Sequence, residues 1–284
     1  MVELITESSK MKHIRWILEE RGIDVGYVPT MGNLHAGHLS LVEESLRNHL
    51  TTIVSIFVNP KQFGPSEDFE KYPRTLEHDL NLLKQAAAAH SKKIYVFHPK
   101  SATEIFPPDF DTSIHVPQLS NRLCGLIRPG HFEGVATVVH RLFSLLKPHT
   151  AYFGQKDYQQ YLVIKRMVSD LGLDVEICGM PIIRGENGIA LSSRNQYLSP
   201  SDFDLALTLR KTLLNISQDT QNNFTKHKAE AFSKAEVHWD YLEILDAQNL
   251  APINAETKQQ IVLGAIKVGS TRLIDNILME PTHA

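Results

Sequence analysis

The chain of 284 residues can hold two domains of ~150 residues or one large one. Its 29 basic and 32 acidic residues leave a net charge of −3, which supplies no global pull toward nucleic acid or an anionic membrane. No apolar run reaches the ~20 residues of a bilayer span, the start lacks the apolar core of a secretory signal, and two cysteines make no disulfide framework, so a cytoplasmic protein is expected.

In chain order, residues 11–20 read as a helix with an apolar side at Ile14, Trp16, Ile17 and Leu18. Residues 25–28 make a short buried strand that Pro29 should stop. Leu39, Val42 and Leu46 repeat at helical spacing through residues 38–48. The β-branched run at 51–58 reads as a strand covered on both faces. A helix at 75–89, a strand at 94–97, a helix at 132–147 ended by Pro148, a strand at 151–153, a helix at 157–170 and a strand at 175–178 follow. Such alternation predicts a parallel sheet with helices on both faces. After about residue 180 the pattern changes to a helix capped by Ser199 and opened by Pro200, a polar stretch at 217–232, and strands at 241–245, 261–268 and 271–274. The expected architecture is α/β: a Rossmann-like doubly wound parallel sheet over residues 1–182 with a smaller C-terminal α+β domain over 183–284.

Ligands of an open parallel sheet bind beyond the carboxyl ends of its strands, so the loops there carry the chemistry. The first reads PTMGNLHAGHLSLV. Gly32 and Gly37 permit a tight turn, and His35 and His38 straddle a helix start whose free N–H groups favour an anion. Two imidazoles there could hold a triphosphate; spacing alone equally allows them to cap and pack the turn. HExxH is absent, which disfavours zinc, and so are GxxxxGK[ST] and GxGxxG. The second loop, NPKQFGPSEDFEKYPRT, is long enough for a lid and opens on the neutral amides Asn59 and Gln62. In the third, FGQKDYQQ, Gly154 leaves a strand, Lys156 and Asp157 begin a helix, and Gln160 should share the face of Lys156. The fourth, LSSRNQYLSP, offers two hydroxyls and Arg194 as a polyphosphate clamp. A surface loop, a solvated helix face and a serine-rich linker are the plainer readings of these last three.

Taken in order, PTMGNLHAGH, FVNPKQF with YPRT, RPGHFEGV, FGQKDYQQ, LSSRNQYL and the closing RLIDNI resemble the pantothenate synthetase family over essentially the whole chain. The first motif is similar to the HIGH signature of class I aminoacyl-tRNA synthetases and LSSR to their mobile KMSKS loop. The resemblance implies ATP-driven condensation of (R)-pantoate with β-alanine, with Mg²⁺, in a cytoplasmic homodimer that binds neither nucleic acid nor membrane. It implies ATP contacts at Met31, Gly32, Asn33, Leu34, His35, Ala36, Gly37 and His38, with His38 as proton donor. Further ATP segments are Gly154, Gln155, Lys156 and Asp157, then Ile183, then Leu191, Ser192, Ser193 and Arg194. His35, Lys156 and Arg194 join His38 in the catalytic set. Gln62 is shared by pantoate and β-alanine, and Gln160 is the second pantoate glutamine. Gln155, Ile127 and Asn187 depart from the residues usual in the family. His78 interrupts the acidic pair that holds a metal in some members near Asp79, which leaves the ligands of Mg²⁺ unassigned.

The implied chemistry starts from a pantoate carboxylate already ionised at neutral pH, so the first step needs no base. It needs charge neutralisation while an anion attacks the α-phosphate. The resulting pantoyl adenylate must be kept from water, a task for residues 63–72 and the second domain. Two other classes stay open to an HxGH segment. A different nucleotidyltransferase would want more cations around its substrate, and a non-catalytic nucleotide sensor or RNA binder would want a basic face.

Overall fold

A computed structural model of the chain describes residues 1–65, 67–219, 223–233 and 237–279. They form two compact units, one of Met1–Gln155 with Val163–Pro181, the other of Lys156–Leu162 with Ile182–Ala284.

The first unit is built on strands β1 (Val2–Ile5), β2 (Val25–Thr30), β3 (Thr51–Ile56), β4 (Lys93–Phe97), β5 (Thr150–Gly154) and β6 (Glu176–Met180), all parallel, in the order β1-β4-β3-β2-β5-β6. The helices are α1 (Ser8–Glu20), α2 (Ala36–Asn48), α3 (Leu76–His90), the short α4 (Pro117–Ser120) and α5 (Cys124–Ile127), α6 (His131–Leu146) and, from Val163 on, α7 (Tyr158–Asp170), whose first residues belong to the second unit. Alternate residues of β2 show why both faces of the sheet are covered. Val28 packs with Leu41, Val42 and Leu46 of α2 and Leu83 of α3, whereas Tyr27 meets Phe143 of α6 edge-on at 6.1 Å. All six residues of β3 are buried, as its continuous β-branched run demands. Each such aliphatic side chain contributes about 1.5–3 kcal/mol by leaving water.

Three local differences from the sequence expectation have physical causes. The edge strand β1 pairs only with β4 and is mostly half-buried, so no apolar run announces it. Pro29 does not stop β2, because β5 pairs only with Gly26 and Tyr27, and the N–H that proline lacks faces no ladder on that side. Lys147 at φ +40° closes α6 in the left-handed conformation one residue before Pro148.

In the second unit, β7 (His238–Asp246), β8 (Gln260–Val268) and β9 (Thr271–Leu278) form an antiparallel sheet in that order, packed by α8 (Pro200–Gln218) through Leu209 and Leu213. Ser199 caps α8 in a reciprocal box with Asp202, as the Ser-Pro start predicts. The stretch expected to be merely polar carries α9 (Phe224–Ser233); its residues 220–222 lie outside the described set. Among the described residues no helix is long and apolar enough to cross a membrane.

Candidate active site

Strand order reverses between β2 and β5, and the carboxyl ends of those two strands open the crevice that a doubly wound sheet offers a ligand. The loop leaving β2 is held from below. Thr30 donates its hydroxyl to the Ser55 carbonyl at 2.7 Å and accepts the Gly32 amide at 3.1 Å. Gly32 has φ +83°, and a Cβ on it would stand 3.1 Å from both Asp79 Oδ2 and Ile56 Cγ2, so turn and close approach both require glycine there. Asp79, fully buried in α3, accepts the Asn33 amide at 3.0 Å, the Leu34 amide at 2.8 Å and the Thr75 hydroxyl at 3.1 Å.

His35 caps α2. Its Nδ1 accepts the Gly37 amide at 3.1 Å, the His35 amide points at His38 Nδ1 at 3.4 Å, and the ring centroids are 4.1 Å apart. Two expectations change. The amides of residues 33, 34, 35 and 37 are turned toward Asp79 and the imidazoles rather than held open for an anion. The capping role that spacing left open is real, and it fixes the tautomers: with both Nδ1 atoms accepting, each neutral ring carries its proton on Nε2. These two Nε2–H groups are the imidazole donors of the segment.

The second loop begins with a 3₁₀ turn at Pro60–Gln62 capped by Asn59, whose side chain accepts the Lys61 amide. Buried Asn59 donates to Gln62 Oε1 and to the Gly134 carbonyl, each at 3.1 Å. Gln62 Nε2 lies 3.2 Å from Met31 Sδ, which joins the first and second predicted segments. α6 comes close here because residue 134 is glycine: a Cβ would fall 2.2 Å from the Lys61 carbonyl oxygen and 2.7 Å from the Gln62 amide nitrogen. Gly134→Ala therefore has to displace backbone, and a loss of about 1–3 kcal/mol in stability is expected from such overpacking. Urea unfolding measures it, and a wild-type curve would mean that α6 can back away freely.

RPGHFEGV acquires a physical meaning that its residue types alone did not give. His131 donates from Nδ1 to the Gln62 carbonyl at 2.9 Å, and Arg128 donates to His131 Nε2 at 3.0 Å. Arg128 also grips Glu67 with two bonds of 2.7 and 2.6 Å. Burial pushes the Glu67 carboxyl up, but the Arg128 pair outweighs it and holds the group below its ordinary value. Phe63 packs edge-on to Phe69 and Tyr72, which gives the loop its own small core.

The second unit carries the other predicted residues. Lys156 lies in a 3₁₀ turn, Gln155–Asp157, ahead of α7, so its spacing to the half-buried Gln160 is not a repeat within one α-helix. Its Nζ stands 3.7 Å from Asp157, and its carbonyl accepts the Asn276 side chain at 3.1 Å. Burial pushes the Tyr158 phenol up to about 12; that hydroxyl donates to the Ala247 carbonyl at 2.9 Å and anchors the start of α7. Ile183 and Leu191 are bonded across the small loop they bracket, which a bridge between Arg184 and Ala190 also closes. Arg184 makes a bidentate pair with buried Asp275 at 2.7 and 2.9 Å. Ser192 caps the following 3₁₀ turn, Ser193–Tyr197, by accepting the Arg194 amide at 3.2 Å. Asp275 and Asn276 of RLIDNI thus tie down both loops of this unit, a role for which nothing local in the sequence gives a signal.

Among the described residues no group of three or more His, Cys, Asp or Glu can hold a metal ion. Asp79 has both oxygens engaged by backbone and hydroxyl donors.

The pantoate-beta-alanine ligase family profile matches residues 3–278. Pantothenate synthetase of Thermotoga petrophila is 44% identical over 98% of this chain and 100% of its own. That of Caldicellulosiruptor saccharolyticus is 45% identical over 95% and 97%. Among solved structures, pantothenate synthetase of Thermus thermophilus superposes with a TM-score of 0.90 at 41% identity, covering 99% of this chain and 100% of its own. The Francisella tularensis pantoate-beta-alanine ligase, solved with an ATP analogue and β-alanine, gives 0.80 at 32% identity over 98% of each chain.

Proposed function

The chain belongs to the pantoate–β-alanine ligase family, and from that premise we propose how its own residues condense (R)-pantoate with β-alanine as ATP is cleaved to AMP and pyrophosphate. The pantoate carboxylate attacks the α-phosphorus, the bond to the β-phosphate oxygen breaks, and pyrophosphate leaves. The amine of β-alanine then attacks the acyl carbon of the pantoyl adenylate, loses a proton, and AMP departs.

The negative charge that gathers during the first step needs donors already in place. His35 and His38 supply Nε2–H donors, and Lys156 and Arg194 supply fixed positive charge. Met31–His38, Gly154–Asp157, Ile183 and Leu191–Arg194 are the ATP contacts in this reading. Gln62 and Gln160 hold the pantoate hydroxyls and carboxylate, and Gln62 also meets β-alanine. Neutral amides suit a ligand whose single charge is consumed in the reaction. Among the described residues no acidic cluster is placed to hold a resident metal, and in this reading Mg²⁺ comes with its nucleotide, as MgATP. A cytoplasmic homodimer is part of the same proposal and rests on family membership.

The observation that carries the proposal is the pair of capped, tautomer-fixed imidazoles at the switch point of the sheet, beside a glutamine held against Met31. Pyrophosphate release that needs pantoate for a first turnover and β-alanine as well for every later one tests the reaction. Gln160→Ala is expected to raise the pantoate KM about tenfold or more, the value of one to two hydrogen bonds, with the ATP KM little changed. A variant that loses ATP affinity instead overturns the assignment of Gln160.

A further inference from the structure

We infer that Glu67, Arg128 and His131 form a relay that positions Gln62, so that the loop after β3 sets the affinity for pantoate through an ion pair remote from the reacting atoms. The inference rests on the proposed role of Gln62 and adds to it three positioning residues.

The connections form one unbroken line. Glu67 accepts two charge-assisted bonds from Arg128, with side-chain exposures of 22% and 17%, where solvent screens a pair less than at an open surface. Arg128 passes a third N–H to His131 Nε2, which obliges that ring to keep its proton on Nδ1. Nδ1 spends that proton on the Gln62 carbonyl at 2.9 Å, and Arg128 Nη2 reaches the same oxygen at 3.5 Å. On the other side, Gly134 lets the backbone of α6 touch Lys61 and Gln62. The main chain of Gln62 is thereby gripped by residues 66 and 69 positions later, themselves held by Glu67, while its side-chain amide meets Asn59 and Met31. A carbonyl fixed in this way fixes where the side chain begins. Positioning a polar ligand group depends on such supporting contacts.

Double-mutant cycles on the intact enzyme test the relay, with KM for pantoate and KM for ATP read separately. Glu67→Gln keeps the shape and removes the charge; it is expected to raise the pantoate KM about tenfold, the value of one charge-assisted bond, and to leave the ATP KM unchanged. His131→Leu should do the same, whereas His131→Asn, which keeps an N–H at the Nδ1 position, should recover most of the loss. In a Gln62→Ala background, Glu67→Gln should add almost nothing, because both changes act on one contact. Equal effects of Glu67→Gln in both backgrounds, or a rise in ATP KM of the same size, overturns the relay. Failure of the premise looks different: Gln62→Ala alone would then leave the pantoate KM at its wild-type value. Melting temperatures of all variants identify any that merely unfold, and for those His131→Asn decides, since its Nδ1-position donor predicts near-wild-type affinity.

Discussion

His38→Ala lowers the rate of pantoyl adenylate formation by ~10²–10⁴, the range for loss of a positioned proton donor. The structure sharpens the expectation. Because His38 Nδ1 faces the His35 amide, the proton of the neutral ring is on Nε2, the nitrogen assigned to the phosphate in this proposal. A glutamine can place an N–H near the Nε2 position, and an asparagine only near Nδ1. His38→Gln should therefore retain part of the rate and His38→Asn should resemble alanine. Single-turnover formation of the adenylate from enzyme, ATP and pantoate reads the step itself. Wild-type chemistry in His38→Ala would remove the residue from the mechanism, and a better Asn than Gln variant would reverse the tautomer.

Asp79→Ala is expected to cost roughly 3–5 kcal/mol of folding stability, since it strands two buried amides and a hydroxyl together. Both amides belong to the loop that leads into His35, so the loss should extend to ATP binding. Asp79→Asn should be little better. A carboxamide keeps one acceptor and turns its NH₂ toward a backbone N–H that needs an oxygen. Denaturant unfolding together with nucleotide titration measures both effects. Should Asp79→Ala unfold within about 1 kcal/mol of wild type, a typical single hydrogen bond, the carboxylate is not what shapes the loop.

These two residues mark the range of what the sequence discloses. His38 stands in a motif whose chemistry is local: histidines three apart at a helix start, ahead of a periodic apolar run. The sheet was legible for the same reason, because β-branched runs such as residues 51–56 and spaced leucines such as those of α2 are properties of neighbours in the chain. Asp79 bonds residues 45 and 46 positions away, and on its own helix it reads as an ordinary surface acid. Asn276 reaches back 120 residues to Lys156. Contacts of that span leave no periodicity behind, so residue pattern alone did not mark the residues that hold the candidate site together, although the resemblance had included RLIDNI, while those proposed to face the ligand stand in local motifs. The helix at Phe224–Ser233 escaped for another reason: it buries little beyond Ala231, and a polar helix and a polar loop look alike in sequence.

The dependence of the Lys156 and Arg184 loops on Asp275 and Asn276 hangs both on neighbouring residues of one element. Both anchors stand in β9, 91 and 120 positions along the chain from the groups they hold. Loosening of that one strand would release the lysine carbonyl and the arginine together, while the parallel sheet and its paired imidazoles kept every bond of their own.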